Sequence, residues 1–305
     1  MTLTKRLILS LLLMSMTACA STLTSVKLKV VDQDGLPVEN AEVFLGFILG
    51  NEGANVKELT DKNGELKATR RQNLGVIVRV NKEGYYQSKL RTGPSDQNLT
   101  IELRKKKTPT AMYAKKLTLR FPKKKTAIGF DFEQADWVAP YGKGNIAHVF
   151  FYLDGQFIST TNYSDELRIS FSNPEDGLIK LTKNSTASEY QFPYLASQDN
   201  YQNGITLKSF RSGSDKVTDY DQFALGYTFR VNTEVNSEGE VIHANYGKIS
   251  GDIWASAAES KKKKSFGFIR FTYYYNPTPN DHSLEFDWRQ NLFRDLEHEE
   301  KVYEP

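Results

Sequence analysis

Apolar and polar positions alternate along most of this chain. In the stretch SVKLKVVDQDGLPVENAEVFLGF, Val26, Leu28 and Val30 fall on one side and Lys27 and Lys29 on the other. That two-residue period is the mark of a half-buried strand. Asp34-Gly35 predicts a turn, and Pro37 falls at the start of the next strand, where its missing N–H is tolerated. Val43, Leu45 and Phe47 then resume the alternation, and Asn63-Gly64 is a strong hairpin signal. With LGVIVRV, the turn NKEGYY and NLTIELR, about seven short strands over residues 25–104 predict a β-sandwich.

The run RKKKTPTAMYAKK breaks the alternation and reads as a linker over residues 105–116. Strand patterns return in KLTLRF, AIGFDFE, NIAHVFFYLDG, FALGYTFRVNTEV, VIHANYGKISGDIW and FGFIRFTYYYNPTPN. Asp154-Gly155 and Glu238-Gly239 predict hairpin turns. Residues 117–288 therefore predict a larger antiparallel β-sandwich or jelly-roll-like domain, and the whole chain is expected to be all-β. In the tail, residues 289–305, Leu292, Phe293 and Leu296 lie at helical spacing and predict a short helix.

The first residues follow a different pattern. Lys5 and Arg6 precede an apolar run from Leu7 to Met14, then Ser15, Thr17 and Ala18. The run is too short to span a bilayer, which takes about 20 residues, and reads as a signal peptide over residues 1–18. Met16-Thr17-Ala18-Cys19 resembles the lipobox of bacterial lipoproteins, and Cys19 is the single cysteine among 305 residues. The resemblance implies that Cys19 becomes the first mature residue and carries the lipid. Residues 19–24 are then a tether, and the membrane is a partner through that lipid. Ala20 and Ser21 follow without an aspartate, which implies the outer membrane, with the protein facing the periplasm or the cell surface.

The run from Val30 to Val43 (VVDQDGLPVENAEV), together with TDKNG at residues 60–64 and VNKEGYY, resembles the carboxypeptidase regulatory-like domains. These are prealbumin-like sandwiches appended to exported bacterial proteins. The resemblance implies a fold and brings no catalytic residue. DWVAPYGKG and YYYNPTPNDHSLEFD are similar to stretches of uncharacterised bacterial exported proteins, which implies a shared fold and no known chemistry.

Removing Lys5 and Arg6 with the signal lowers the formal net charge from +3 to about +1, which argues against nucleic acid as a partner. The lysine runs Lys105–Lys107, Lys123–Lys125 and Lys261–Lys264 read as solvated strand ends or loop tips. Asp32-x-Asp34-Gly35 and Asp61-x-Asn63-Gly64 look like calcium loops, but the twelfth position is Val43 in one and Gln72 in the other, so both are expected to be turns. His148, His243, His282 and His298 lack metal-binding spacing, and Gly142-x-Gly144 precedes a strand where a phosphate loop would open a helix. No cofactor or metal is implied, and no catalytic residue is assigned.

Two acidic clusters beside tryptophans keep a carbohydrate-active hydrolase open as an alternative: Asp131, Glu133 and Asp136 near Trp137, and Asp281, Glu285 and Asp287 near Trp288. Alternation places Asp131 and Glu133 on one strand face, with solvent as the expected partner. The main expectation is a non-catalytic binding or scaffolding role in the envelope, toward a glycan or a protein. Trp137, Tyr274 and Trp288 are the candidate ligand contacts. A third reading is a subunit of an envelope complex that offers an open sheet edge.

Overall fold

The computed structural model describes residues 21–50, 52–183, 187–221, 223–259 and 266–305. Residues 1–18, expected to be a signal peptide, Cys19 and Lys261–Lys264 lie outside the described residues. The chain is all-β and divides into two compact units. The first holds the chain up to Glu83 together with Gln87–Leu103, the second Gly84–Tyr86 and Arg104–Pro305.

The first unit contains β1 (Thr22–Asp32), β2 (Glu42–Leu49), β3 (Glu52–Leu59), β4 (Glu65–Gln72), β5 (Val76–Asn81), β6 (Ser88–Arg91) and β7 (Gln97–Leu103). They form a three-stranded sheet, β4-β1-β7, and a four-stranded sheet, β3-β2-β5-β6. β1 runs antiparallel to β4 and parallel to β7. The alternation places Val26, Leu28, Val30, Leu66 and Ile101 on the inner face of one sheet and Val43, Leu45, Phe47, Val78 and Val80 on that of the other, all buried. At the end where β1 begins, buried Gln72 ties three segments together. Its Nε2 donates to Thr24 Oγ1 and to the Pro94 carbonyl, both at 2.7 Å, while its Oε1 accepts from Gly75 N at 2.6 Å. At the opposite end Gly64 takes φ +74°, and a Cβ there would fall 2.3 Å from the Val30 carbonyl oxygen.

The second unit contains β8 (Tyr113–Arg120), β9 (Ala127–Asp131), β10 (Asp136–Trp137), β11 (Val149–Ser159), β12 (Asn162–Ser170) and β13 (Gly177–Leu181). It continues with β14 (Gly204–Ser212), β15 (Asp215–Thr218), β16 (Gly226–Val235), β17 (Val241–Ser256) and β18 (Phe268–Asn276). A six-stranded sheet, β10-β9-β11-β12-β14-β15, faces a five-stranded one, β13-β16-β17-β18-β8. Phe130, Phe151 and Leu167 of the first meet Phe229, Phe271 and Tyr273 of the second in one core. The sheets are antiparallel, with hydrophobic side chains turned inward.

Four expectations are corrected. The expected tether over residues 19–24 gives way to strand from Thr22 onward, with Thr24 buried. Residues 105–116 are no linker: Met112 and Ala114 are buried, and β8 begins at Tyr113. Asp154-Gly155 is not a turn but lies within β11, with the reversal at Thr160–Thr161. Gly155, at φ +142°, lets β12 pass close by, and a Cβ would sit 2.2 Å from the Ser164 carbonyl oxygen. The tail forms two single 3-10 turns, Trp288–Gln290 and His298–Glu300, in place of an α-helix. Its backbone is held by the edge strand of the five-stranded sheet. Leu292 N donates to Met112 O at 2.9 Å, and Asn291 Nδ2 donates to Ala114 O at 2.8 Å.

Candidate functional site

The structure gives the two acidic clusters structural work. Asp131, expected to face solvent, is buried. Its Oδ1 accepts from Glu133 N and Gln134 N at 2.9 and 3.1 Å, and its Oδ2 from Asn145 N and Ile146 N at 2.8 and 3.1 Å. Burial alone would raise the Asp131 pKa, but these donors outweigh it and hold the carboxyl below its ordinary value. Asp136 similarly accepts from Trp137 N and Lys143 N at 2.8 and 2.9 Å. Glu133 is pushed up by partial burial and by the Asp131 charge. In the other cluster, buried Glu285 accepts from the Tyr86 hydroxyl, Lys107 N and Thr108 N at 2.9, 3.0 and 2.8 Å. Asp281 accepts from Asn276 Nδ2 at 2.8 Å, and Asp287 accepts from Arg289 N at 3.0 Å. Asp131, Asp136 and Glu285, filled by backbone amides, brace the loops that donate to them.

His148 Nδ1 accepts from Phe132 N at 3.2 Å, while its buried Nε2 has no hydrogen-bond partner among the described residues. Burial drives its pKa down to about 4, opposed by Asp131, so the ring is neutral near pH 7. His282 stacks on Tyr246 with ring centres 4.0 Å apart. Among the described residues no group of His, Cys, Asp and Glu gathers to hold a metal ion.

Two of the three aromatic candidates are corrected. Trp137 is 3% exposed and Tyr274 1%, so neither presents a face to a ligand. Trp137 packs against Phe121 and donates its ring N–H to Arg120 O at 2.8 Å. Tyr274 forms one wall of a box around Lys248, a fully buried residue with no signal in the sequence beyond its place in a strand. Tyr190, Phe192 and Tyr274 place their ring centres 4.9, 5.0 and 4.6 Å from the lysine nitrogen, which donates to Leu284 O. Burial lowers the Lys248 pKa to about 7, against the attraction of Glu285. The lysine run Lys105–Lys107 also departs from simple solvation: Lys107 lies 4.3 Å over the Tyr194 ring and Lys106 5.4 Å over Tyr86.

Trp288 is different, at 48% exposed, and it is joined by Tyr303 at 49%. Asp287 caps the 3-10 turn that carries Trp288. Val302, buried with Met112, Tyr274 and Phe286, pins the neighbouring tail segment. The Trp288 and Tyr303 rings stand edge to face, with centres 5.6 Å apart, beside a cleft of about 270 Å3. Arg289, Phe293, Arg294 and Lys301 also line it, and no carboxylate among the described residues does. Glu300 and Glu304 engage Lys115 and Lys116 at 2.9 and 3.4 Å. The cleft thus offers half-bare aromatic faces rimmed by cationic hydrogen-bond donors. Trp288 was visible in the sequence; Tyr303 and Lys301 were not, because the tail pattern suggested a helix.

Larger hollows carry less directed chemistry. A depression of about 690 Å3 beside β11, β12 and β14 is crossed by ion pairs of its own, Lys124–Glu259 at 2.7 Å and Lys208–Glu166 at 3.4 Å. One of about 610 Å3 lies over β2, β3 and β5, where Arg79 lies over the Phe44 ring at 5.2 Å.

No protein-family model matches the chain, and no curated protein matches it in sequence. Among solved structures it is similar to a DUF3823 family protein from Parabacteroides merdae ATCC 43184, at 8% identity and a TM-score of 0.23, covering 88% of this chain and 100% of that one. A proposed carbohydrate binding protein from Bacteroides uniformis ATCC 8492 aligns at 9% identity and a TM-score of 0.21, covering 85% and 98%. BcpA, the major pilin subunit of Bacillus cereus, aligns at 12% identity and a TM-score of 0.23, covering 82% and 95%. Overlaps of this size leave function to be argued from the chain's own residues.

Proposed function

We propose that this chain is a lipid-anchored protein of the bacterial envelope that binds a glycan without turning it over, with the Trp288–Tyr303 cleft as the binding site. The anchor rests on the lipobox-like Met16-Thr17-Ala18-Cys19. The observation that carries the binding reading is the pair of half-exposed rings beside a cleft lined by Arg289, Arg294 and Lys301. An aromatic face stacks on the C–H face of a sugar ring, and guanidinium and ammonium groups donate to its hydroxyl or carboxylate oxygens. Binding without turnover is supported by Asp131 and Glu285, two of the nominated carboxylates, being occupied by backbone donors.

The test is titration of the mature protein with envelope polysaccharides, followed by tryptophan fluorescence and by an assay for newly released reducing ends. Saturable binding with no release, abolished by Trp288→Ala and by Tyr303→Ala, is expected. Binding unchanged in both variants would move the site elsewhere. Release of reducing ends would replace the binder with a hydrolase.

A further inference from the structure

The first unit has two unlike ends. At the end where β1 begins, Leu23 is 66% exposed and Leu74 49%, and Arg70, Arg71 and Arg91 are exposed around them. The strand register gathers these residues: Leu23 pairs with Arg71, Thr24 with Arg70, and Ile77, next to the Asn73–Gly75 turn, with Arg91. None of the three arginines is ion-paired among the described residues. Their guanidinium groups reach only uncharged oxygens: Thr69 O at 2.8 Å, Ser21 Oγ at 3.5 Å and Leu74 O at 3.4 Å. Asp96, at this end, already accepts from Ser25 N at 2.8 Å, and Glu52 is the other acidic position there. The turns at the opposite end carry Asp32, Asp34, Glu39, Asp61 and Glu83 against Lys62 and Lys82.

We infer that the leucine-and-arginine end rests on an anionic bilayer surface, with Leu23 and Leu74 entering the interface and Arg70, Arg71 and Arg91 meeting headgroup phosphates. The inference rests on the anchored reading above. A lipid on Cys19 stands three residues before Thr22, where β1 begins, so extended chain reaches at most about 11 Å between them. So short a reach brings this end of the sandwich to the headgroups. Arginine stems lie along apolar surface while their charged heads pair with phosphate. The acidic end is the one that an anionic surface would repel. Gln72 stiffens the docking end by joining the β1, β4–β5 and β6–β7 segments, so the leucines and arginines are presented as one face.

The experiment uses the lipidated full chain in vesicles of phosphatidylethanolamine and phosphatidylglycerol. Cys19 is consumed by lipid, so a reporter cysteine carries the only free thiol. Leu74→Cys and, at the far end, Lys62→Cys are each labelled with an environment-sensitive fluorophore and challenged with brominated lipid. Loss of most emission at position 74 and little at 62 is expected. Arg70→Glu, Arg71→Glu and Arg91→Glu, combined with Leu74→Cys, should bring the two positions to the same level. Each arginine reversed to glutamate should weaken docking by roughly fivefold or more, since loss of one positive charge alone accounts for about fivefold, and high salt should act in the same direction. Equal quenching at 74 and 62, or none at 74 in protein whose Cys19 lipid is confirmed by mass spectrometry, would overturn the docking and leave the anchor standing. An unmodified Cys19 would overturn the anchor, and the docking with it.

Discussion

Lys248 and Tyr274 are cross-strand neighbours on β17 and β18, and the lysine nitrogen lies 4.6 Å from the centre of the tyrosine ring. With Tyr190, Phe192 and the Leu284 carbonyl, Tyr274 encloses an amine that has no access to water. The cost of burying that charge sets the first expectation.

The Lys248 pKa falls from 10.5 in the unfolded chain to about 7 in the fold. Between those values the unfolded chain binds more protons, so stability rises with pH from about 7 toward 10, by up to about 1.4 kcal/mol per unit. Below 7 the whole penalty is present. Urea unfolding at stepped pH should show this rise in the natural protein and a flat profile for Lys248→Met. The buried tyrosines, with pKa values raised above 10 by burial, lose their contribution only at higher pH.

His148 acts at the acid side. Its pKa drops from 6.5 to about 4 on folding, so its contribution is complete above 6.5 and lost as pH falls toward 4. The ring resonances of His148 in NMR should titrate with a midpoint near 4. His148→Asn keeps an acceptor for Phe132 N, and its stability should be less sensitive to pH in that window. Asp165 and Asp176, raised by burial, are common to both proteins and cancel in the difference.

Asp131→Asn leaves an amide group facing backbone N–H donors that now have a carboxylate. A loss of about 3 kcal/mol is expected from the denaturant midpoint. Glycan binding at Trp288 should survive wherever the variant remains folded, because Asp131 does not line that cleft.

Gly155→Ala places a methyl 2.2 Å from the Ser164 carbonyl oxygen, at a φ of +142°. A loss of about 3 kcal/mol or more is expected. Gly213→Ala, at φ +60° with open space around it, should cost about 1 kcal/mol. Thermal unfolding of the two variants side by side checks the contrast.

Trp288→Ala should abolish glycan binding while changing stability by less than about 1 kcal/mol, since the ring is half exposed. Arg294→Gln keeps the shape of the cleft and removes one charge, so it should weaken acidic glycans more than neutral ones. Isothermal titration with one of each kind provides the comparison.

Alternation and turn chemistry made the strands legible, because side chains on a pleated strand point alternately in and out whatever the remainder of the chain does. Gly35 and Gly64 hold the left-handed turns that their Asp-Gly and Asn-Gly pairs announce. Gly155 shows the limit: the same dipeptide serves a close strand approach, which depends on Ser164 across the sheet. Lys248 follows the alternation away from the core between the sheets, as a solvent-facing lysine would. It is buried because Tyr190, Phe192 and Leu284 cover the outer face. Asp131 looked solvated for a similar reason, since its amide partners at Asn145 and Ile146 arrive from the following loop. The tail matched a helical period, but hydrogen bonds to the edge strand β8 outweighed it, so Tyr303 meeting Trp288 could not be foreseen.

The parallel pairing of β1 with β7 has a mechanical meaning. Val26–Asp32 lie beside Gln97–Leu103 in the same direction, so the chain enters at one end of the sheet and leaves at the other. Tension between Thr22 and Leu103 therefore drags the two strands lengthwise past each other. It loads their ladder in shear, all rungs together, where a hairpin pulled from its open end would unzip one rung at a time. A sandwich threaded in this way is built to stay folded under a steady pull.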